Sequence, residues 1–195
     1  MKNLAVATFL TLFSSVSLSA VITTNDRNEF NLTKQEFAYD MSRTTSPFTS
    51  LSGEITVDQA FGHPNWYGEW SSLLDGYEYV VNDYENINID FQTDQTAFGI
   101  DFVDDSVFSE FSFELLNDGA SVGSFAYDSN VYDTKIFLGF YSDVAFDRIQ
   151  IRERSAQNTN EIFQFYTATH AVPTPATLAL FALGLAFMGF KRKTT

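Results

Sequence analysis

The chain has 195 residues, with 25 acidic residues against 11 basic ones and no cysteine. The missing cysteines exclude a disulfide framework, a thiolate metal site and a cysteine nucleophile. A net charge of −14 with no basic patch excludes nucleic-acid binding.

Lys2, the apolar run Leu4 to Leu12 and the small residues from Ser14 to Ala20 form a charged start, an apolar centre and a small-residue end. That order predicts a secretory signal peptide over residues 1–20, cleaved after Ser19 or Ala20. An exported domain over 21–170 follows, a length that suits one domain with a real core. All 25 acids lie in it with seven of the basic residues, so it carries −18. Its core must come from the 16 of the chain's 21 Phe that lie in it, with the 9 Tyr and 2 Trp, and each fully buried Phe contributes roughly 1.5–3 kcal/mol.

Within that domain, Ile22 opens a short strand, and Thr24 or Asn25 caps a helical turn running toward Leu32. Phe37-Ala38-Tyr39 suggests a second strand, and Thr44 to Ser52 a Ser/Thr-rich loop around Pro47. Glu54 to Val57 reads as a strand. Phe61 to Trp70 shows neither period, contains Gly, Pro and Asn, and is expected to be a long ordered loop. Alternation then becomes clear at Tyr77/Tyr79/Val81, Ile87/Ile89/Phe91, Phe98/Ile100/Phe102 and Phe111/Phe113/Leu115. Asn117-Asp118-Gly119 marks a hairpin turn, with Val122 to Tyr127 returning. Ile136 to Tyr141 suits a strand buried on both faces. Ile149/Ile151 and then Ile162/Phe163/Phe165 complete the set. Many short strands without crossover helices predict an all-β fold, an antiparallel β-sandwich of jelly-roll type.

The last segment, 171–195, has three parts. Val172-Pro173-Thr174-Pro175 leads into an uncharged apolar run from Ala176 to Phe190, and Lys191-Arg192-Lys193 follows. The run has no polar face and is predicted to be a short membrane helix over 176–190. The basic end stays cytoplasmic by the positive-inside rule, with Lys191 and Arg192 snorkelling to the interface. This tripartite segment resembles the PEP-CTERM sorting signal handled by exosortases in Gram-negative bacteria, with Thr174 where the usual motif has Glu. The resemblance implies a precursor held transiently in the inner membrane and processed at Val172 to Pro175 by an exosortase-type enzyme. It implies delivery to the cell surface or extracellular matrix. The pieces Thr24-Asn25-Asp26-Arg27 with Phe30, Phe98-Gly99-Ile100-Asp101-Phe102, Leu138 to Asp143 and Phe146-Asp147-Arg148-Ile149 also resemble the exported β-sandwich domains found ahead of such tails.

For chemistry, the two histidines, His63 and His170, cannot make a multi-His metal site, and no Gly-x-Ser-x-Gly elbow is present. A glycan-acting hydrolase needs only a carboxylate pair, and 25 acids leave that pair unnamed. A non-catalytic module that binds polysaccharide is the leading expectation. Trp66, Tyr67 and Trp70 offer flat faces for sugar rings, and Asn65 offers an amide for hydroxyls. Asp104, Asp105, Asp128 and Asp133 fall in predicted loops as candidates for a structural Ca²⁺, without an EF-hand pattern. No other cofactor is implied.

Overall fold

A computed structural model describes residues 20–60, 64–71, 73–82, 86–104, 109–129, 131, 133–154 and 160–170. The predicted signal peptide up to Ser19, the sorting tail with its predicted helix, and His63 lie outside the described residues.

The described residues form twelve strands, all antiparallel: β1 Val21–Thr24, β2 Phe30–Lys34, β3 Asp40–Thr44, β4 Phe48–Thr49, β5 Ile55–Gln59, β6 Asn65–Gly68, β7 Glu78–Asn82, β8 Ile87–Asp104, β9 Glu110–Asn117, β10 Ala120–Asp128, β11 Ile136–Glu153 and β12 Asn160–His170. A single 3₁₀ turn, Arg27–Glu29, is capped by Asp26, whose carboxylate accepts from the Asn28 N–H. The expected helix toward Leu32 is therefore one turn followed by β2. Among the described residues no helix is long and apolar enough to cross a membrane.

Two strands organise the sandwich. β8 and β11 are each 18 residues long and pass from one layer into the other. Their halves nearest Ile89 and Ile149 pair with each other and with β5 and β9, giving a layer ordered β4-β5-β8-β11-β9-β10. Their other halves pair at Gly99 and Gly139, giving the second layer β1-β11-β8-β12-β7-β6-β3, with β2 on the far end of β12. The bend in β8 is the polar, mostly exposed run Gln92 to Thr96, and the register between β8 and β11 shifts on either side of Phe146. The sequence patterns at 87–91 and 98–102 are thus two faces of one strand. So are those at 136–141 and 149–151.

Inward residues from both layers meet in one core: Ile55, Val57, Tyr79, Ile89, Phe98, Ile100, Phe113, Phe140, Phe146, Ile151 and Phe165 are among its fully buried or nearly buried members. Its rings pack mostly edge-on or tilted, as at Phe91 with Phe98 (5.2 Å, 81°), while Phe113 and Phe125 stack at 4.6 Å. Between β9 and β10 the turn is Asp118-Gly119, both at positive φ (49° and 78°), as a two-residue hairpin loop requires.

The outer face of the second layer is also covered. Gly99 and Gly139 pair across β8 and β11, and the Phe30 ring lies where a Gly139 side chain would be. A Cβ at Gly139 would stand 2.3 Å from Phe30 Cε2. Phe30, Ala97, Phe137 and Ala168 form a small second cluster there. Beside it the Arg27 guanidinium lies 4.6 Å from the Phe137 ring and 4.8 Å from the Tyr166 ring. The same guanidinium pairs with Asp101, a fully buried carboxylate that also takes Lys135 (3.2 Å) and the Tyr166 hydroxyl (2.8 Å). These contacts fasten the N-terminal segment onto the sandwich. We expect Gly139→Ala to cost about 1–3 kcal/mol by forcing the Phe30 ring off the sheet, read as a lowered urea midpoint at unchanged slope.

Candidate functional site

The candidate aromatic stretch proves to be part strand, part loop. Asn65–Gly68 is β6, paired with β7 in the register Trp66↔Val80, Tyr67↔Tyr79 and Gly68↔Glu78. Trp66 and Tyr67 are both buried, on opposite faces. Tyr67 enters the main core and donates its hydroxyl to Glu36, and burial pushes its pKa up. Trp66 joins Leu74, Val80, Val103 and Ile162 in a third cluster on the outer face. The Arg43 side chain covers its ring at 4.8 Å. Asn65 is fully buried and donates its amide to Tyr79 Oη at 2.7 Å. Trp66, Tyr67 and Asn65 therefore offer nothing to a ligand, which corrects the expectation that they line a sugar site. They were misjudged because a strand buried on both faces has no period of two.

Trp70 is different. It is 45% exposed and stands edge-on to Trp66, with centroids 5.2 Å apart and planes at 69°. Its backbone is fixed by Glu78, whose Oε2 accepts the N–H groups of Trp70 (3.1 Å) and Ser71 (2.9 Å) while Oε1 accepts the Ser71 hydroxyl (3.3 Å). Glu78 is fully buried, and burial raises its pKa against the lowering effect of those three donors. The exposed indole thus has a buried indole behind it and a buried carboxylate beneath its backbone.

Three further side chains that the sequence reading passed over as site residues, Tyr39, Met41 and Tyr77, gather around Gly68. Gly68 faces outward, and a Cβ there would meet Met41 Sδ at 2.3 Å and Tyr39 Cε2 at 3.2 Å. Tyr39 and Met41 therefore lie across bare strand. Tyr39 is 62% exposed and Tyr77 42%. Their rings are 5.4 Å apart, and Tyr77 stands edge-on to buried Tyr67 at 5.9 Å. No local sequence signal marks Tyr39, which reaches Gly68 through β3–β6 pairing across a register shift.

Of the calcium candidates, Asp104 and Asp133 are neighbours through the backbone. Asp104 is fully buried at one end of the sandwich and accepts the Ser109 hydroxyl. Asp133, at φ 46°, donates its N–H to the Asp104 carbonyl, whereas exposed Asp128 ends β10 opposite Glu110. Asp105 lies outside the described residues. Among the described residues no group of three or more His, Asp or Glu is placed to hold a metal. The neighbour of Asp104 across the sheet is Glu161, also fully buried, and burial raises its carboxyl pKa well above the ordinary value. A cleft of about 310 Å³ gathers Asp90, Asp118 and Asp147. There Asp90 is paired with Arg148 and Asp147 accepts the Asp118 N–H, so both carboxylates serve the fold.

Residues 171–193 match the family model of the PEP-CTERM protein-sorting motif, which is consistent with an exosortase substrate. No curated protein matches the chain. Among solved structures, a variant of a family 29 carbohydrate-binding module is similar with a TM-score of 0.42 at 11% identity, over 72% of this chain and 92% of that one. Another variant, complexed with mannohexaose, gives 0.41 at 13% identity over 72% and 92%. A further family 29 module gives 0.39 at 11% over 75% and 98%. Likeness at that level carries no argument about ligand or residues.

Two outcomes are expected. Trp66→Ala should cost about 3–5 kcal/mol, while Trp70→Ala should stay within about 1 kcal/mol, measured by urea denaturation. For Glu161, a folded pKa above the unfolded one means its contribution is fullest at acid pH and is lost as pH rises through the raised value. Glu161→Gln should therefore flatten the fall in unfolding free energy between acid and neutral pH.

Proposed function

We propose that this chain is an exported surface or matrix module that binds polysaccharide through Trp70 and performs no chemistry on it. The observation that carries the reading is the half-exposed Trp70 indole held against buried Trp66, with its backbone N–H and that of Ser71 on the buried Glu78 carboxylate. A flat ring fixed in one orientation stacks on the C–H face of a sugar without losing much side-chain entropy. Indole so exposed in a domain with three apolar clusters is not needed for burial.

Delivery follows from the C-terminal segment. Val172 to Pro175 are proposed as the recognition and processing site, Ala176 to Phe190 as the transient membrane helix, and Lys191 to Lys193 as its cytoplasmic anchor. Residues 1–20 would direct export, leaving the domain at the cell surface or in the matrix of a Gram-negative bacterium.

Two experiments test this. A C-terminal epitope tag should be absent from the surface-associated protein, and a tag that stays attached counts against processing. On a glycan array, the full chain in a sugar-free detergent should bind, Trp70→Ala should bind at least about tenfold more weakly, and the far-UV spectrum should not change. Release of reducing sugar from a polymer by the purified chain would overturn the non-catalytic reading.

A further inference from the structure

We propose that the sugar site extends past Trp70 onto a second aromatic subsite built from Tyr39, Met41 and Tyr77, and that its ligand is an uncharged polysaccharide chain long enough to cover both. This rests on the reading of Trp70 as a sugar platform.

The geometry is continuous. In the β6–β7 register Gly68 is opposite Glu78 and Trp66 opposite Val80, and Trp66 and Val80 share the outer-face cluster. By the pleat, Gly68 and Glu78 face the same side. Tyr39 and Met41 occupy the space over Gly68, and the Glu78 carboxylate holds the Trp70 backbone. The two aromatic groups therefore flank one residue pair of the sheet.

Two of the exposed rings, Trp70 and Tyr77, are each backed by a buried one, and Tyr39 packs against Tyr77. Trp70 stands on Trp66, and Tyr39 stands on Tyr77, which stands on Tyr67. Tyr67 is itself fixed through its hydroxyl on Glu36. Rings braced in this way keep their orientation in the absence of ligand, which lowers the entropy lost on stacking. One braced ring serves one sugar. Two of them on one edge suit successive rings of a chain.

Charge selects the class of chain. The carboxylates of Glu36, Asp40, Glu69 and Asp75 belong to the segments that carry these rings. Of the cations there, Lys34 pairs with Glu36 (3.1 Å) and donates to the Asp75 carbonyl (3.0 Å), and Arg43 lies on the Trp66 ring. A uronate or sulfated polymer would meet this acidic rim on a domain whose charge is −18. An uncharged chain meets no such barrier.

The test is calorimetric titration of the full chain in a sugar-free detergent. The probes are neutral gluco-, manno-, xylo- and galacto-oligosaccharides from disaccharide to hexasaccharide, with an oligouronate series of matching lengths. We expect one neutral series to gain at least about tenfold in affinity with length, and the oligouronates to bind more weakly than that series at low salt. Tyr39→Ala, at a surface position, should abolish the gain with length, and Trp70→Ala should weaken every length. Binding that depends on Trp70 but neither grows with length nor responds to Tyr39→Ala would overturn the second subsite and leave the Trp70 platform standing. Equal affinity for oligouronates would overturn the assignment of an uncharged ligand. Failure of the unaltered chain to bind any of these probes would overturn both readings.

Discussion

The structure depends on the continuity of β8 and β11 through both layers. Because the same two strands pair at Ile89 with Ile149 and again at Gly99 with Gly139, the two sheets cannot slide past each other without breaking a ladder. The bends that allow the crossing are the polar run Gln92 to Thr96 in one strand and the segment around buried Phe146 in the other. A chain with no cysteine thus acquires by strand continuity the inter-layer tie that a disulfide supplies in other exported sandwiches.

That arrangement makes the outer face of the second layer a surface that must itself be covered. Its middle strands carry Ala97, Gly99, Val103, Phe137 and Gly139 outward, too apolar to face water. One end is covered by Phe30 and Leu32 of the N-terminal segment, fastened through Arg27 and Asp101. Over the other lies Leu74, buried among Trp66, Val80, Val103 and Ile162, with Trp70 edge-on to Trp66. Trp70 is where that cover begins. Its exposure is set by Glu78, because a buried carboxylate must be met by donors, and the donors available are the backbone groups of Trp70 and Ser71. The candidate site is therefore a consequence of how the fold protects a face, with the indole placed at the margin of that protection.

The core-facing strands were legible wherever one side met the core and the other met water, as at Ile87 to Phe91 and Phe111 to Leu115. The Asp118-Gly119 turn was legible because it needs positive φ at both positions. β6 was not legible, since Trp66 and Tyr67 are buried on opposite faces and leave no alternation. Nor was the continuity of β8 and β11, because each bend carries a polar break that looks like a loop. Of the candidate site, the sequence named Trp66 and Trp70 together, and residue type alone could not separate the exposed indole from the buried one. Tyr39 lies some thirty positions earlier and reaches Gly68 only through edge-strand pairing. Such long-range placement leaves no local trace.

Charge explains why contact should dominate recognition by this domain. The exported portion holds every acid of the chain, and four of the basic residues lie in the two ends. At −18 it repels anionic lipid and acidic polymer at a distance, so electrostatic steering cannot bring it to such surfaces. In salt of about 0.1 M that repulsion fades over roughly 10 Å, about the reach of a surface side chain. Inside that range stacking of a ring on C–H groups and dispersion remain, and neither depends on the charge of the domain. A braced aromatic edge is the recognition device that such a charge leaves effective, and Trp70, Tyr39 and Tyr77 form the one we propose.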